Sequence, residues 1–177
     1  MVKDSSMATP DGLADDIFLP GGRLRLDLLN DAAADVLRES IRLARETRWD
    51  SVRSPHVFMG LLACPDAGVR NWGERLRADL PKLLGQFQEL FHQEEGECEP
   101  VLVLNREFFS DNVIRLLRAS YNRATDHQRV HLTPMDLLIS LLTASNSIVA
   151  ECFERIGVTA ARLTELAVMA EQQNDEV

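Results

Sequence analysis

Moved along itself by 80 positions, this chain matches its own sequence without a gap: Asp31 falls on Asp111, Leu37 on Leu117, Arg38 on Arg118, Ser40 on Ser120 and Ala44 on Ala124. The register continues through Leu61 and Leu62 on Leu141 and Leu142, Val69 on Val149, Glu74 and Arg75 on Glu154 and Arg155, and Leu83 on Leu163. That makes 11 identities over the 55 paired positions 29–83. A repeat constrains the fold more than any single motif, because each copy is one supersecondary unit that must bury its apolar face against a neighbour. One unit of about 55 residues buries too little surface to be comfortable alone. Two copies sharing a core about a pseudo-twofold axis are therefore expected.

The spacing predicts four helices in each copy. A Ser, Thr, Asn or Asp cap satisfies orphan N–H groups at a helix start, and proline fits the first helical position. Ser54-Pro55 and Thr133-Pro134 have that form, Asn30 and Ser110 cap the first helix of each copy, Asp66 and Asn146 the third, and Asp79 and Thr159 the fourth. The first helices, about 31–47 and 111–126, place Val36, Leu37, Ile41 and Ala44, then Leu116, Leu117, Tyr121 and Ala124, on one stripe. The second helices, about 55–63 and 134–143, are apolar nearly all round and belong in the centre. Val69, Trp72 and Leu76 face the core from the third helix, matched by Val149, Cys152, Phe153 and Ile156. The fourth helix carries Leu83, Leu84, Phe87, Leu90 and Phe91 and extends toward residue 93; its counterpart carries Leu163, Leu166 and Ala170. The expected fold class is all-α: two tandem four-helix repeats packed as a pseudo-twofold eight-helix domain. Residues 1–27 form a flexible lead, repeat one covers 28–92, an acidic connector 93–107, repeat two 108–172, and 173–177 a flexible tail.

Charge narrows the partners. The formal net charge is −9, yet residues 29–83 carry nine basic and eight acidic side chains and residues 109–163 carry six and five. Acidity is concentrated in the connector and the ends, where residues 84–108 hold one basic and six acidic side chains. Phosphate neutralisation needs clustered Lys and Arg, so nucleic acid is not an expected partner. No apolar run approaches the roughly 20 residues that span a bilayer, and the opening MVKDSSMATPDGLADD lacks the apolar core of a signal peptide. No membrane association and a cytoplasmic location are expected. Cys64, Cys98 and Cys152 have neither disulfide nor zinc spacing and read as reduced thiols.

No catalytic constellation emerges. His56, His92, His127 and His131 lack any HExxH-like spacing, and the chain has no GxSxG elbow and no GxxxxGKS/T phosphate loop. The expectation is a non-enzyme with no cofactor and no metal. Trp72 reads as core, while Trp49 lies in the turn after the first helix.

Two tandem four-helix units, each with a Ser/Thr-centred start to a Leu-rich second helix, resemble the Clp N-terminal domain repeat of Clp-type unfoldase ATPases over about residues 28–170. In that family the second helix opens on Thr-Glu-His and runs into a small residue before a Leu pair. Here it is SPHVFMGLL, keeping His56, Gly60, Leu61 and Leu62, and then TPMDLLISLL, with Asp136 at the histidine position and Ser140 as the small residue. The family's corner after the third helix, a hydrophobic residue then Gly-Val, appears as Ile156-Gly157-Val158 and has become Leu76-Arg77-Ala78 in the first copy.

The resemblance implies a protein-binding module that docks an adaptor or substrate peptide for a Clp-type ATPase ring. Any ATPase activity would lie on another segment or chain. In some family members the acidic residue of the signature contacts phosphoarginine, and Pro55 and Met135 replace it here. Repeat symmetry places the partner-binding site at the starts of helices one and five, around Asn30, Ala33, Ser110 and Val113. Two alternatives stay open. One is the head domain of a secretion-associated Clp ATPase that binds a sheath subunit. The other is a self-associating structural or regulatory protein that pairs through Phe87, Leu90 and Phe91.

Overall fold

The computed structural model describes residues 16–91 and 104–175. Among them are eight α-helices and no strand: α1 (Asp31–Glu46), α2 (Ser54–Ala63), α3 (Ala67–Leu76), α4 (Leu80–Leu90), α5 (Asp111–Asp126), α6 (Pro134–Thr143), α7 (Ile148–Glu154) and α8 (Ala160–Asp175). Two 3-10 turns, Leu26–Leu28 and Arg106–Phe108, keep the same 80-residue offset.

Capping chemistry starts most helices where the sequence indicates. The Asn30 side chain accepts from the Ala33 amide at 2.8 Å, Asp66 from Val69 at 2.9 Å, Asp79 from Lys82 at 3.2 Å and Ser110 from Val113 at 3.3 Å. Two starts differ. Ser54 lies inside α2, and Arg53 takes the cap position that Thr133 occupies before α6, so the 80-residue register holds without a slip. α7 is capped by Ser147, while Asn146 adopts a left-handed φ of 60°, which lets the chain turn sharply before the helix.

The apolar α2 and α6 cross at the centre, where Val57, Phe58, Leu61, Leu137, Leu138 and Leu141 are essentially inaccessible. The two copies are bound reciprocally. Leu29 bridges Leu132, and Val52 bridges Phe109, so the segment entering each copy's first helix pairs with the loop before the other copy's second helix. The amides follow the same symmetry: Asn30 donates to the Leu132 carbonyl at 3.0 Å, and Ser110 donates to the Val52 carbonyl at 3.0 Å.

One glycine sets how closely α1 meets α2. A Cβ added at Gly60 would lie 2.4 Å from Ser40 Oγ and 2.6 Å from the Val36 carbonyl oxygen. Alanine is the better helix former by about 1 kcal/mol, but the backbone oxygen cannot yield, and overpacking costs roughly 1–3 kcal/mol. Gly60→Ala is expected to lower the urea midpoint despite its gain in helix propensity.

The lead is ordered sooner than its composition suggests. Ile17, Phe18 and Leu24 are buried in the core, and Asp16 receives two hydrogen bonds from Arg118. A tight turn with Gly21 and Gly22 at φ of 96° and 97° folds Phe18 back against Leu24. Of the lead expected to be flexible through residue 27, residues 1–15 lie outside the described residues, and residues 17–27 are packed in, because three large apolar side chains reach the core. Of the expected connector, residues 93–103 lie outside the described residues, and Leu104, near its end, is buried in the core. At the other end α8 continues to Asp175, into the segment expected as a tail.

Candidate functional site

One break in the pseudo-symmetry opens a helix pair. α3 packs along α8, with Trp72 fully buried and its Nε1 donating to the Leu163 carbonyl at 3.1 Å. The symmetry-related pair is α7 against α4, and there Cys152 stands in the place of Trp72. A cysteine cannot fill a tryptophan's volume. The result is an apolar groove of about 540 Å³ lined by Leu83, Phe87, Leu90, Cys152, Phe153 and Ile156, with Gln86 and Glu89 on its rim. Its floor is rigid: Phe87 and Phe153 are joined edge to face with Phe58, at ring separations of 4.8 and 5.9 Å. Its walls are open, since Leu90 is 64% and Ile156 71% exposed. Burial pushes the Cys152 thiol pKa up, which suits it to a packing role.

The four residues singled out by repeat symmetry sit at the starts of α1 and α5. Asn30 and Ser110 are the caps, and Ala33 and Val113 are wholly buried. They are brought near each other's repeat through the reciprocal bridges. Beside Val113, Asn112 and Arg115 open onto a polar cleft of about 860 Å³ between α5 and the end of α6, closed at one side by Ser54 of the other copy. The cleft lies where Ser140 replaces Gly60, so the helices cannot approach as α1 and α2 do.

The starts of α2 and α6 carry the histidine and aspartate noted above. His56 Nδ1 accepts from the Arg53 amide at 2.9 Å, and Asp136 Oδ2 accepts from the Thr133 amide at 2.9 Å, so the two residues perform one capping task. Their surroundings differ. His56 packs edge-on to Trp49 at 5.2 Å, and Trp49 Nε1 donates to the Phe91 carbonyl at 2.8 Å. The matching positions in copy two are all charged: the buried carboxylates of Asp136 and Glu171 are held by the half-buried Arg129 and Arg123 in one cluster. Arg123 grips Glu171 with two hydrogen bonds of 2.8 Å and Asp136 with a third of 2.8 Å, while Arg129 grips Asp136 with both terminal nitrogens. Burial alone would push the Asp136 carboxyl up, but the bonds from Arg129, the Thr133 amide and Arg123 outweigh it and hold its pKa below the ordinary carboxylate value. Two positive and two negative charges close the cluster on itself. Among the described residues no three His, Cys, Asp or Glu side chains converge as a metal site requires.

Burial, aided by the neighbouring Arg53 charge, lowers the His56 pKa from 6.5 to about 4. In the unfolded chain the ring protonates near 6.5, so between the two values the unfolded state binds more protons and stability rises with pH. Acidification through that window is expected to remove about 1.4 kcal/mol per pH unit. Urea midpoints measured across it should flatten in His56→Asn, whose side-chain oxygen can still accept from Arg53.

No family model matches the chain, and no curated protein matches it by sequence. Solved structures do. The N-terminal domain of the chaperone ClpD from Arabidopsis thaliana superposes with a TM-score of 0.62 at 16% identity, covering 83% of this chain and 96% of that one. The Hsp104 N-terminal domain from Candida albicans gives 0.62 at 13% identity, covering 79% and 89%. The ClpV N-domain from Vibrio cholerae gives 0.58 at 16% identity over 96% of this chain and 93% of that one, and a ClpV N-domain in complex with a VipB peptide gives 0.57 at 19% over 81% and 86%. The fold is that of the N-terminal domains of Clp-type unfoldases. The resemblance read from Ser54–Leu62 and Thr133–Leu142 is thus met in three dimensions. No single helix among the described residues is long and apolar enough to cross a membrane.

Proposed function

We propose that this chain is a non-catalytic protein-binding module that docks an adaptor or substrate segment for a Clp-type unfoldase ring in the cytoplasm. The open α4–α7 groove carries the reading. It offers two exposed aliphatic side chains above a rigid aromatic floor, the arrangement into which an amphipathic helix or peptide lays its apolar anchors. The starts of α1 and α5 form a second contact region, in which the half-buried caps Asn30 and Ser110 face the partner and the buried Ala33 and Val113 support them from beneath. A second reading, the head domain of a secretion-associated Clp ATPase that takes a sheath subunit, is favoured by the ClpV neighbour that aligns over 96% of this chain.

The full chain used as bait in lysate of its source cell, with bound proteins identified by mass spectrometry, separates the two: adaptors or tagged substrates support the first, a sheath subunit the second. Leu90→Glu and Ile156→Glu are expected to cut recovery about tenfold, the loss of roughly 1.4 kcal/mol, without moving the melting temperature, because both side chains already face water. Cys152→Trp, which places the copy-one residue in the copy-two groove, is expected to block docking while the fold persists. Unchanged recovery from all three variants removes the groove from the proposal. A concentration-dependent dimer by sedimentation, abolished by Leu90→Glu, would instead make the α4 stripe a self-association surface.

A further inference from the structure

Next to the groove, one residue along the chain from Ile156, lies a recess of about 620 Å³ between the corner after α3 and the corner after α7. Its apolar lining is Leu76, Val158 and Leu166, and its charged lining residues are Arg75, Arg77 and Arg162, with no acidic residue among them. This is a cationic spot on a chain of net charge −9. Two of the three guanidiniums are weakly committed. Arg162 pairs with Glu165 where both side chains are 58% exposed, a setting in which ion pairs contribute little. The Arg77 backbone N–H closes the corner on the Glu74 carbonyl at 3.1 Å, while its guanidinium has no hydrogen bond or ion pair among the described residues. Arg75 is held by Asn71 at 2.7 Å and by Gln173, which fixes it at the rim.

Arg77 is also conformationally out of place. It sits at φ 60° and ψ 38°, where the symmetry-related corner uses Gly157 at φ 90°. A left-handed arginine is disfavoured where glycine is free to adopt that conformation. Both corners line the recess, and only the first copy places a charged side chain at its left-handed position.

The geometry points to an acidic partner: the segment that docks in the α4–α7 groove carries aspartate or glutamate beside its apolar anchors, and the Arg75, Arg77 and Arg162 recess receives those carboxylates. This rests on the groove reading and adds the partner's charge to it. The field of the whole chain repels an acidic segment, so any preference for one must arise locally.

Two fluorescein-labelled helical peptides test this by anisotropy with the full chain. Both carry leucines at i, i+3, i+4 and i+7, and they differ only in glutamate against glutamine at the remaining positions. The glutamate peptide is expected to bind about tenfold tighter at low salt, as several partly exposed ion pairs together allow, and to lose that margin at high salt. Arg77→Gly combined with Arg162→Gln should erase the margin and leave the glutamine peptide's affinity unchanged. Arg77→Gly alone keeps the fold, with a melting temperature no lower than the parent, since glycine suits the corner. Equal affinity of the two peptides overturns the inference and leaves the groove reading standing. Binding of neither overturns both, and a glutamate preference that survives in the double variant overturns the assignment to this recess.

Discussion

Asp136→Ala is expected to cost about 3–5 kcal/mol of folding stability, enough to leave much of the chain unfolded, because it removes the fully buried carboxylate that both Arg123 and Arg129 hydrogen-bond and leaves two guanidiniums to share Glu171. Asp136 is fully buried and also caps α6 through the Thr133 amide, so one truncation breaks a charge cluster and a helix start together. Urea denaturation of the purified chain measures the loss. The sister copy supplies the contrast. It places Leu43, Trp49, His56 and Phe91 at the same four positions. Replacing all four charged residues at once, as Arg123→Leu, Arg129→Trp, Asp136→His and Glu171→Phe, is expected to cost far less than the single change, since a well-packed apolar set often matches a buried ion cluster. A quadruple variant as unstable as Asp136→Ala would show that the packing around the cluster, rather than its charge balance, carries the stability.

Trp72→Ala is expected to cost roughly 3–5 kcal/mol, the usual range for emptying a buried tryptophan. The side chain touches both copies: its ring packs edge to face against Phe58 at 6.1 Å and against Phe153 at 6.4 Å, and its Nε1 serves the α8 backbone. Its loss should unfold the two repeats together, in one transition seen alike by circular dichroism and by the remaining fluorescence of Trp49. Two separate transitions would mean that the repeats hold themselves up independently.

Much of the fold was legible because it rests on periodicity and local chemistry. The offset of 80, the caps at Asn30, Asp66, Asp79 and Ser110, and the all-round apolar α2 and α6 are readable one element at a time. The ordered lead was less so: Ile17, Phe18 and Leu24 are three apolar residues in a glycine-containing stretch, and only the core they enter marks them as structural. Helix α4 ends at Leu90 rather than near 93, where no periodic feature marks the stop. The charged cluster was hidden because Arg123, Arg129, Asp136 and Glu171 come from three helices and a loop, and each reads singly as a surface charge. The groove was hidden for a different reason. Cys152 and Trp72 were each legible as core-facing, but the opening comes from the volume difference between them, which appears only once α3 is seen packed on α8 and α7 is seen standing off α4.

The reciprocal bridges, Leu29 to Leu132 and Val52 to Phe109, have the pattern of a twofold homodimer interface, in which residue i meets j and j meets i. Here both halves lie on one polypeptide. Two identical subunits would be obliged to open a groove on both faces or on neither, since every substitution appears twice. Covalent fusion lifts that obligation. One half can spend its tryptophan on closing the seam while the other leaves its cysteine to hold it open, so the chain presents a single polarised face from a scaffold that is otherwise paired with itself.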